Sequence, residues 1–231
     1  MTKNSSYFVT GTDTGVGKTL VTAALLHALA KTGLRVTGMK PIAAGAELID
    51  GALWNEDVAM LAAASNTNLP RELTTPYLLR EPAAPHIAAQ LEHVPLDMQH
   101  LLDCYQKIAQ QSDCVIVEGV GGFCVPINDA CDTADLAVQL GLDVIMVVGL
   151  RLGCINHALL TAEAIQARGL NLVGWVANQI DINMSHQEAN LQTLEQKLPA
   201  PLIGVVPWME AVSAEVAADK IDTSRIKNWQ S

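Results

Sequence analysis

The sequence predicts a doubly wound α/β fold, in which helices cover both faces of a mostly parallel sheet to give three layers. Two observations carry this prediction: apolar runs alternate with helical patterns, and the runs are continuous and rich in Val, Ile and Leu, as in strands buried on both faces. The candidate strands are residues 7–10, 35–39, 114–118, 144–149, 172–178 and 202–206. The candidate helices are residues 18–31, 55–64, 98–111, 133–139, 155–167 and 185–197.

Glycines and chain length agree with this interpretation. Gly33, Gly141 and Gly169 each follow a helical pattern, at the position where glycine commonly ends a helix. The chain has 231 residues, 50% of them hydrophobic and 16% charged, so residues 1–231 are predicted to form a single domain with a large core. Residues 69–95 are rich in proline and are predicted to be an irregular excursion within that domain rather than a linker.

Charge and hydropathy argue against several classes of protein. The chain has 14 basic and 24 acidic residues, a formal net charge of −10, and no basic run, so no nucleic-acid partner is expected. The N-terminus lacks the apolar region of a signal peptide and the most apolar run is far too short to cross a bilayer, so no membrane contact is expected. The odd number of cysteines without a paired spacing predicts reduced thiols and a cytoplasmic protein. These cysteines are Cys104, Cys114, Cys124, Cys131 and Cys154.

The segment GTDTGVGKT, residues 11–19, is the most informative motif in the chain. It lies between a candidate strand and a candidate amphipathic helix, an arrangement whose backbone N–H groups and helix N-terminus hold a nucleotide phosphate. Lys18 is predicted to reach the β- and γ-phosphates, and the Thr19 hydroxyl to bind Mg²⁺. Thr12 stands where the common spacing would place glycine, so the loop is one residue longer than usual. The residues predicted to contact the nucleotide are Gly15, Val16, Gly17, Lys18 and Thr19.

Further polar candidates stand at the carboxyl ends of strands, where parallel sheets bind their ligands. Glu118 is predicted to support Mg²⁺, with a surface acid as the alternative, and Lys40 to face the transferred phosphate, with a solvated lysine as the alternative. Asp57 is either a second Mg²⁺ carboxylate or a charge that favours the dipole at a helix start. Asp113 is expected to be a solvated residue at the opposite end of its strand. The turn after Glu118 adds Gly119, Val120 and Gly121 as candidate nucleotide contacts.

Two other strand exits leave alternatives open. Backbone N–H groups at Gly153, Cys154, Ile155 and Asn156 could hold an anionic group of a substrate, or Asn156 or a nearby backbone turn could simply cap the helix. Asn178 and Pro207 could contact a nucleotide base, or could be a β-turn asparagine and a strand-stopping proline.

Taken together, these segments resemble the dethiobiotin synthetase family over nearly the full chain. The more specific part of the resemblance is LGCINHALLTA joined to GWVAN, since the phosphate loop and VEGVGG belong to a wider superfamily. Supporting segments are FVTGTDTGVGKT, GMKPIAAG, VIVEGVGG and PAPLIGVVPW. The resemblance implies an ATP- and Mg²⁺-dependent ligase of biotin biosynthesis that converts 7,8-diaminononanoate (7,8-diaminopelargonate) and CO2 into dethiobiotin, with ADP and phosphate as the other products.

The resemblance also implies roles for individual residues. Lys18 and Lys40 would stabilise charge on the transferred phosphoryl group, and Thr14 would lie near the carbamate and phosphate. The implied Mg²⁺ ligands are Thr19, Asp57 and Glu118. The implied adenine contacts are Asn178, Gln179, Pro207, Trp208 and Met209. The implied substrate contacts are Ala44 and the backbone of Gly153, Cys154, Ile155 and Asn156, the last four from the neighbouring subunit of a homodimer.

The chain departs from the family pattern at Gly15, where some members have Glu, and at Ala44, where many have a substrate-contacting Ser. Loss of one hydroxyl contact would cost about 1 kcal/mol, which leaves a paralogue acting on a related diamine as one alternative. A second alternative is an ATPase switch of the partitioning or site-selection type. Such switches usually carry a lysine five residues before Lys18, where this chain has Asp13, and this difference favours the ligase.

Overall fold

The computed structural model describes residues 6–226, which form a six-stranded parallel sheet with helices on both faces. The described strands, in chain order, are β1 (Tyr7–Gly11), β2 (Val36–Met39), β3 (Ile42–Ala43), β4 (Glu47–Ile49), β5 (Ala52–Trp54), β6 (Tyr77–Leu78), β7 (Cys114–Glu118), β8 (Asp143–Gly149), β9 (Leu172–Asn178) and β10 (Leu202–Val206). The short strands β3 to β6 lie outside the six-stranded sheet. Its helices are α1 (Lys18–Ala30), α2 (Glu56–Ala64), α3 (Arg71–Thr74), α4 (Pro85–Glu92), α5 (Met98–Ala109), α6 (Thr133–Leu140), α7 (Cys154–Ala167), α8 (Gln187–Lys197) and α9 (Ala214–Ala218), with a 3₁₀ turn at Thr223–Arg225.

The main sheet has the strand order β10-β9-β8-β1-β7-β2, and every neighbouring pair in it is parallel. β2 and β7 lie on one side of β1, and β8 to β10 continue on the other, so the winding reverses at β1. Doubly wound folds bind their ligands at the carboxyl ends of the strands around such a reversal. The predicted fold class is confirmed, and all six strands agree with their predicted bounds to within one residue at each end.

Successive side chains of the sheet enter two separate cores, one beneath each helical layer. Phe8, Val117 and Trp175 belong to one core, whereas Val9 and Ile116 belong to the other, and all five are 0% exposed. This alternation follows from the two-residue repeat of a strand. Because both faces are covered, the strands are apolar throughout, which is why they appear as continuous runs in the sequence.

The six predicted helices are present, with ends displaced by at most two residues. The prediction that α1 is amphipathic is wrong. Residues 21–26 of this helix are all buried, and six consecutive residues extend over more than one full turn. The outer side of α1 is covered because α2 and α9 pack against it. Burial on all sides replaces the two-faced pattern expected of a surface helix.

The prediction of an irregular excursion over residues 69–95 is also wrong. This segment contains α3, β6 and α4, and β6 pairs in parallel with β3. The carboxylate of Glu92 accepts the backbone N–H groups of Arg80 and Glu81 at 2.7 and 2.9 Å, which joins the end of α4 to the chain before it. Pro85 occupies the first position of α4, where proline suits the helix geometry. The prolines therefore begin structural elements here rather than prevent them.

Asp113 lies directly before β7 with its side chain 38% exposed, as predicted for a solvated residue at the strand start, and it also pairs with Arg35. Its carboxylate accepts the backbone N–H of Arg35 at 2.9 Å and two guanidinium hydrogen bonds at 3.1 and 2.7 Å. These hydrogen bonds lower the pKa of Asp113 to about 2. The pair joins the residues that precede β2 and β7, so it contributes to the alignment of these two strands more than to overall stability.

All five cysteines are free thiols. Cys114 is 0% exposed within β7, and burial raises the pKa of its thiol to about 12, so it behaves as a small core residue.

Among residues 6–226, no helix combines the length and apolar character that crossing a bilayer requires.

Trp175 provides a test of the core. Among residues 6–226 it is the largest fully buried side chain, and its indole N–H has no hydrogen-bond partner there. Trp175→Ala is expected to lower the free energy of unfolding by about 3–5 kcal/mol because it leaves a large cavity. Trp175→Phe keeps much of the packing and removes the unpartnered N–H, whose burial costs about 1–3 kcal/mol, so its loss should be much smaller. Urea denaturation measures both, and equal losses in the two variants would contradict this account.

Candidate active site

An open cleft of about 860 Å³ lies beside the loop between β1 and α1. The residues after β2, at the start of α2, before α4 and after β7 complete its lining. The predicted site residues that line it are Thr14, Gly15, Gly17, Lys18, Thr19, Lys40, Ala44, Asp57, Val120 and Gly121. The lining residues that the sequence analysis missed are Asp13, Glu56, Met60, Pro82, Ala83, Ala84, Pro85, Gly122 and Val125.

Gly17 gives the phosphate loop its shape. It has a φ of 85° and forms the N-cap of α1 with no side-chain cap, so the first N–H groups of the helix face the cleft without a capping partner. The amide of Asn178 donates to the carbonyl of Val16 at 2.9 Å, and the Val16 side chain is buried in the core. Asn178 is itself buried at the end of β9, so it braces the phosphate loop instead of forming a β-turn.

Lys18 is held inside the loop that it belongs to. Its Nζ donates to the backbone carbonyl of Asp13 at 3.0 Å, and the side chain is mostly buried. Burial lowers the pKa of Lys18 to about 8. The Asp13 carboxylate accepts the backbone N–H of Thr14 at 2.7 Å and pairs with Arg151 from the segment before α7. The Thr14 hydrogen bond, with help from Arg151, keeps the pKa of Asp13 below its ordinary value.

Lys40 bridges two carboxylates at the base of the cleft. Its Nζ donates to Asp57 Oδ2 at 2.7 Å and to Glu118 Oε1, and Thr19 Oγ1 donates to the same Glu118 oxygen at 2.8 Å. The side chains of Lys40 and Glu118 are 5% and 0% exposed. Neither is therefore the solvated surface residue that the alternatives described.

The two carboxylates keep Lys40 charged. Burial favours the neutral lysine, but the charges of Glu118 and Asp57 outweigh it and raise the pKa of Lys40 above its ordinary value. Burial acts in the opposite sense on Asp57, where the charge of Lys40 dominates and the pKa is lowered. At neutral pH the base of the cleft therefore holds an ammonium between two oxygen ligands.

The oxygen atoms around Lys40 fit the proposed Mg²⁺ ion. Glu118 Oε2 is buried and has no hydrogen-bond partner within residues 6–226, so one acceptor position is left for a cation. Within the described part of the chain, no group of three or more His, Cys, Asp or Glu residues could hold a metal by itself. A cation bound by Thr19, Asp57 and Glu118 would need phosphate oxygens or water as well, and Mg²⁺ is usually bound in this way.

An apolar wall faces the charged base of the cleft. It consists of Pro82, Ala83, Ala84 and Pro85, which lead into α4, together with Val125. The sequence signal was the motif of two prolines around two alanines, which places an extended stretch before a helix. The cleft thus combines a polar end for phosphates with an apolar region for an aliphatic group.

The predicted residues at the start of α7 do not line this cleft. Gly153 is the N-cap of α7 with a φ of 96°, and no described side chain caps the helix, so Asn156 is not the cap and the alternative of a nearby backbone turn agrees with the structure. The N–H of Cys154 bonds to the Arg151 carbonyl at 3.0 Å. Leu152, just before this turn, is 91% exposed. This helix start is therefore not part of the lining of the cleft in its own chain.

The candidate adenine contacts form a separate group beside the phosphate loop. Gln179 follows Asn178 and accepts the backbone N–H of Trp208 at 3.3 Å, while its own N–H bonds to the Val206 carbonyl at 2.9 Å. β10 ends at Val206, directly before Pro207, as expected of a strand-stopping proline. The ends of β9 and β10 thereby bring together Asn178, Gln179, Pro207, Trp208 and Met209.

A parallel sheet with an uncapped helix start after β1, and with a lysine and two carboxylates next to it, defines a nucleotide-binding protein of the phosphate-loop class. A family model described as an AAA domain matches residues 5–216. The ATP-dependent dethiobiotin synthetase BioD of Janthinobacterium sp. (strain Marseille) is 53% identical over 233 residues, with 99% of each chain covered. This chain belongs to the ATP-dependent dethiobiotin synthetase family.

Solved structures of more distant proteins share the fold. The MinD cell division protein of Aquifex aeolicus is 17% identical with a TM-score of 0.55, and the match covers 94% of this chain and 87% of MinD. A ParA family ATPase of Chlorobium tepidum TLS is 16% identical with a TM-score of 0.57, and the match covers 90% and 86% of the two chains. At these identities the similarity concerns the fold alone.

The two glycines of the phosphate loop should respond differently to alanine. Both have positive φ, but a Cβ on Gly15 would meet no atom within 4 Å, whereas a Cβ on Gly17 would lie 2.0 Å from Asn178 Nδ2. Gly15→Ala should therefore show only the backbone strain, about 1 kcal/mol. Gly17→Ala should lower the melting temperature further and weaken binding of an ATP analogue by at least about tenfold. Thermal unfolding and nucleotide titration compare the two, and equal effects would refute the role given to Asn178.

The lowered pKa of Lys18, about 8, predicts that nucleotide affinity depends on pH. Below pH 8, Lys18 of the free protein already carries its charge. Above pH 8 it is largely neutral and must take up a proton when nucleotide binds, because the phosphates favour the charged lysine. Affinity for an ATP analogue should be level below pH 8 and fall by up to about tenfold per pH unit above it. Calorimetry in buffers of different ionisation enthalpy measures this uptake. Lys18→Arg should abolish it, and wild-type binding without proton uptake at pH 9 would contradict the prediction.

Proposed function

We propose that this chain is a dethiobiotin synthetase, which forms dethiobiotin from 7,8-diaminononanoate, CO2 and ATP in biotin biosynthesis. The single observation that carries the proposal is the 53% identity to the Janthinobacterium enzyme along the whole chain. The cleft supports it, because buried lysines beside a phosphate loop suit phosphoryl transfer and the apolar wall suits an alkyl chain. We place the activity in the cytoplasm.

The proposed reaction has three bond-forming steps. One amine of the substrate attacks CO2 and loses a proton to give a carbamate. A carbamate oxygen then attacks the γ-phosphorus of ATP, which breaks the bond to ADP and gives a carbamic–phosphoric anhydride. The second amine attacks the carbamoyl carbon, closes the five-membered urea ring and expels phosphate. Each step builds or moves negative charge close to the transferred phosphoryl group, so fixed cations there lower the barrier.

Lys18 and Lys40 are the proposed sources of this positive charge. Both are buried and lie in the same cleft, so their charges act in surroundings with little water to screen them. Thr14 is exposed at the cleft, with its hydroxyl close to Gly121, and is proposed to contact the carbamate and phosphate. Thr19, Asp57 and Glu118 would hold Mg²⁺, which when bound would neutralise charge on the phosphates.

The nucleotide and the diamine are proposed to bind on opposite sides of the phosphate loop. The phosphates would contact the loop and the turn formed by Gly119, Val120 and Gly121, and adenine would lie near Asn178, Gln179, Pro207, Trp208 and Met209. The alkyl chain of the diamine would lie along the apolar wall, next to Ala44. The Ala44 carbonyl accepts the side-chain amide of Asn55 at 3.2 Å, so this backbone is held in place without a serine hydroxyl.

The substrate carboxylate is proposed to bind the neighbouring subunit of a homodimer. The backbone of Gly153, Cys154, Ile155 and Asn156 forms the start of α7, which no described side chain caps. The Cys154 N–H already bonds to the Arg151 carbonyl, and the other first-turn N–H groups suit an anion. These residues lie outside the cleft of their own chain, so a second copy would have to supply them. The exposed Leu152 beside them would be covered in such a contact.

An ATPase switch of the partitioning type is the weaker candidate. The similarity to MinD and ParA-type proteins lies below 25% identity, whereas the similarity to the dethiobiotin synthetase extends over the full chain. Asp13 also occupies the position where the switch proteins usually have a second lysine, and here it binds Arg151.

Phosphate release from ATP in the presence of Mg²⁺, bicarbonate and the diamine tests the proposed function. Release should require both the diamine and bicarbonate, and mass spectrometry should detect the cyclic urea. Lys18→Ala and Lys40→Ala should each lower turnover by at least about 100-fold, as the loss of a preorganised charge donor does.

The matched control is Lys31→Ala, which removes a lysine that pairs with Asp219 on the surface and should leave turnover unchanged. Hydrolysis that is indifferent to the diamine would overturn the proposal in favour of a switch ATPase. Near-normal turnover in either cleft variant would remove that lysine from the mechanism.

A further inference from the structure

Lys40 occupies the position between the oxygen atoms that are assigned to the metal. Its ammonium contacts Asp57 Oδ2 at 2.7 Å and also Glu118 Oε1. Both residues are proposed Mg²⁺ ligands, and the Thr19 hydroxyl, the third one, lies 2.8 Å from the same Glu118 oxygen. An ammonium and a divalent cation cannot share these oxygens, because like charges in contact within a buried site repel strongly.

Charge balance explains why the lysine is there. Lys18 and Lys40 are the buried cations next to Glu118, and they offset Glu118 and the partly exposed Asp57. The other two carboxylates of the cleft lining are Asp13, which pairs with Arg151, and the exposed Glu56. The Glu118 side chain is 0% exposed, and a buried carboxylate without a cation is strongly unfavourable. A divalent cation added to the filled site would leave excess positive charge away from water. A triphosphate would remove that excess and would attract the displaced ammonium.

We propose that Lys40 is the counter-ion of the metal carboxylates before nucleotide binds, and that it keeps free Mg²⁺ out of the site. The lysine gives up this position only when the metal arrives with a triphosphate, and then faces the transferred phosphate. Glu118 Oε2 is buried and has no hydrogen-bond partner among the described residues, so it remains as an acceptor for the metal once the lysine moves. The inference rests on the proposed metal site, and it adds an order of events: metal and nucleotide enter together.

Binding of Mn²⁺ tests this order, and it is measured as the loss of the electron paramagnetic resonance signal of the free ion. Wild-type protein should bind Mn²⁺ at least about tenfold more tightly with a non-hydrolysable ATP analogue than without it. Lys40→Met without nucleotide should bind Mn²⁺ at least about tenfold more tightly than wild type, since its carboxylates have lost their ammonium. Lys18→Met is the matched control, because it removes a buried charge from the same cleft but not from between the carboxylates, and it should gain less.

A second variant controls for the possibility that Lys40→Met fails to fold. Lys40→Met leaves Glu118 without its counter-ion, whereas Lys40→Met/Glu118→Gln restores the charge balance and should fold and lose the gained Mn²⁺ binding. Equal nucleotide-free affinity in wild type and Lys40→Met, or an equal gain in Lys18→Met, would overturn the inference. Absence of Mn²⁺ binding from every variant even with the ATP analogue would instead refute the metal site, and with it part of the proposed function.

Discussion

The carboxylate of Glu118 lies at the end of β7 without contact with solvent, and the arrangement of the cleft follows from this burial. A buried carboxylate is stable only with a cation and hydrogen-bond donors close by. The parallel register pairs Met39 with Val117 and so brings the next residues of the two strands, Lys40 and Glu118, side by side. The Thr19 hydroxyl reaches the same carboxylate from the first turn of α1. The charges of the site are therefore held by the sheet rather than by loops alone.

The helix starts at α1 and α2 supply the polar part of the cleft, and they differ in their caps. At α2 the side chain of Asn55 accepts the N–H of Val58 at 3.2 Å, which fixes Asp57 in the first turn next to Lys40. A carboxylate there is also favoured by the helix dipole. At α1 the cap is Gly17, which has no side chain to act as an acceptor, so the first N–H groups of the helix remain for a ligand. The capped helix start thus supplies negative charge to the site, whereas the uncapped one offers a place for an anion.

The main sheet and the phosphate loop could be predicted because their signals are contiguous in the sequence. The strands of the main sheet are apolar runs of four to seven residues, and the loop lies directly between a strand and a helix. The apolar wall at residues 82–85 could not be predicted, because its position depends on distant contacts such as the bond of 2.8 Å from the Leu79 N–H to the Ala43 carbonyl. The pair of Asp13 and Arg151 joins residues 138 positions apart, and no local pattern indicates it. The burial of Lys40 follows from strand register, which composition does not specify.

The cleft of a single chain has no cation for the far end of the proposed substrate. Among the described residues that line it, the basic ones are Lys18 and Lys40, and both are already bound at the phosphate end. The wall at residues 82–85 is apolar and suits an alkyl chain, whereas a carboxylate placed against these side chains would lose its hydration. The start of α7, which no described side chain caps, is the proposed anion site, and Leu152 beside it is exposed. A second copy that covers Leu152 and brings this helix start to the open side of the cleft would meet both requirements with one contact, so in this proposal dimerisation and substrate recognition depend on the same surface.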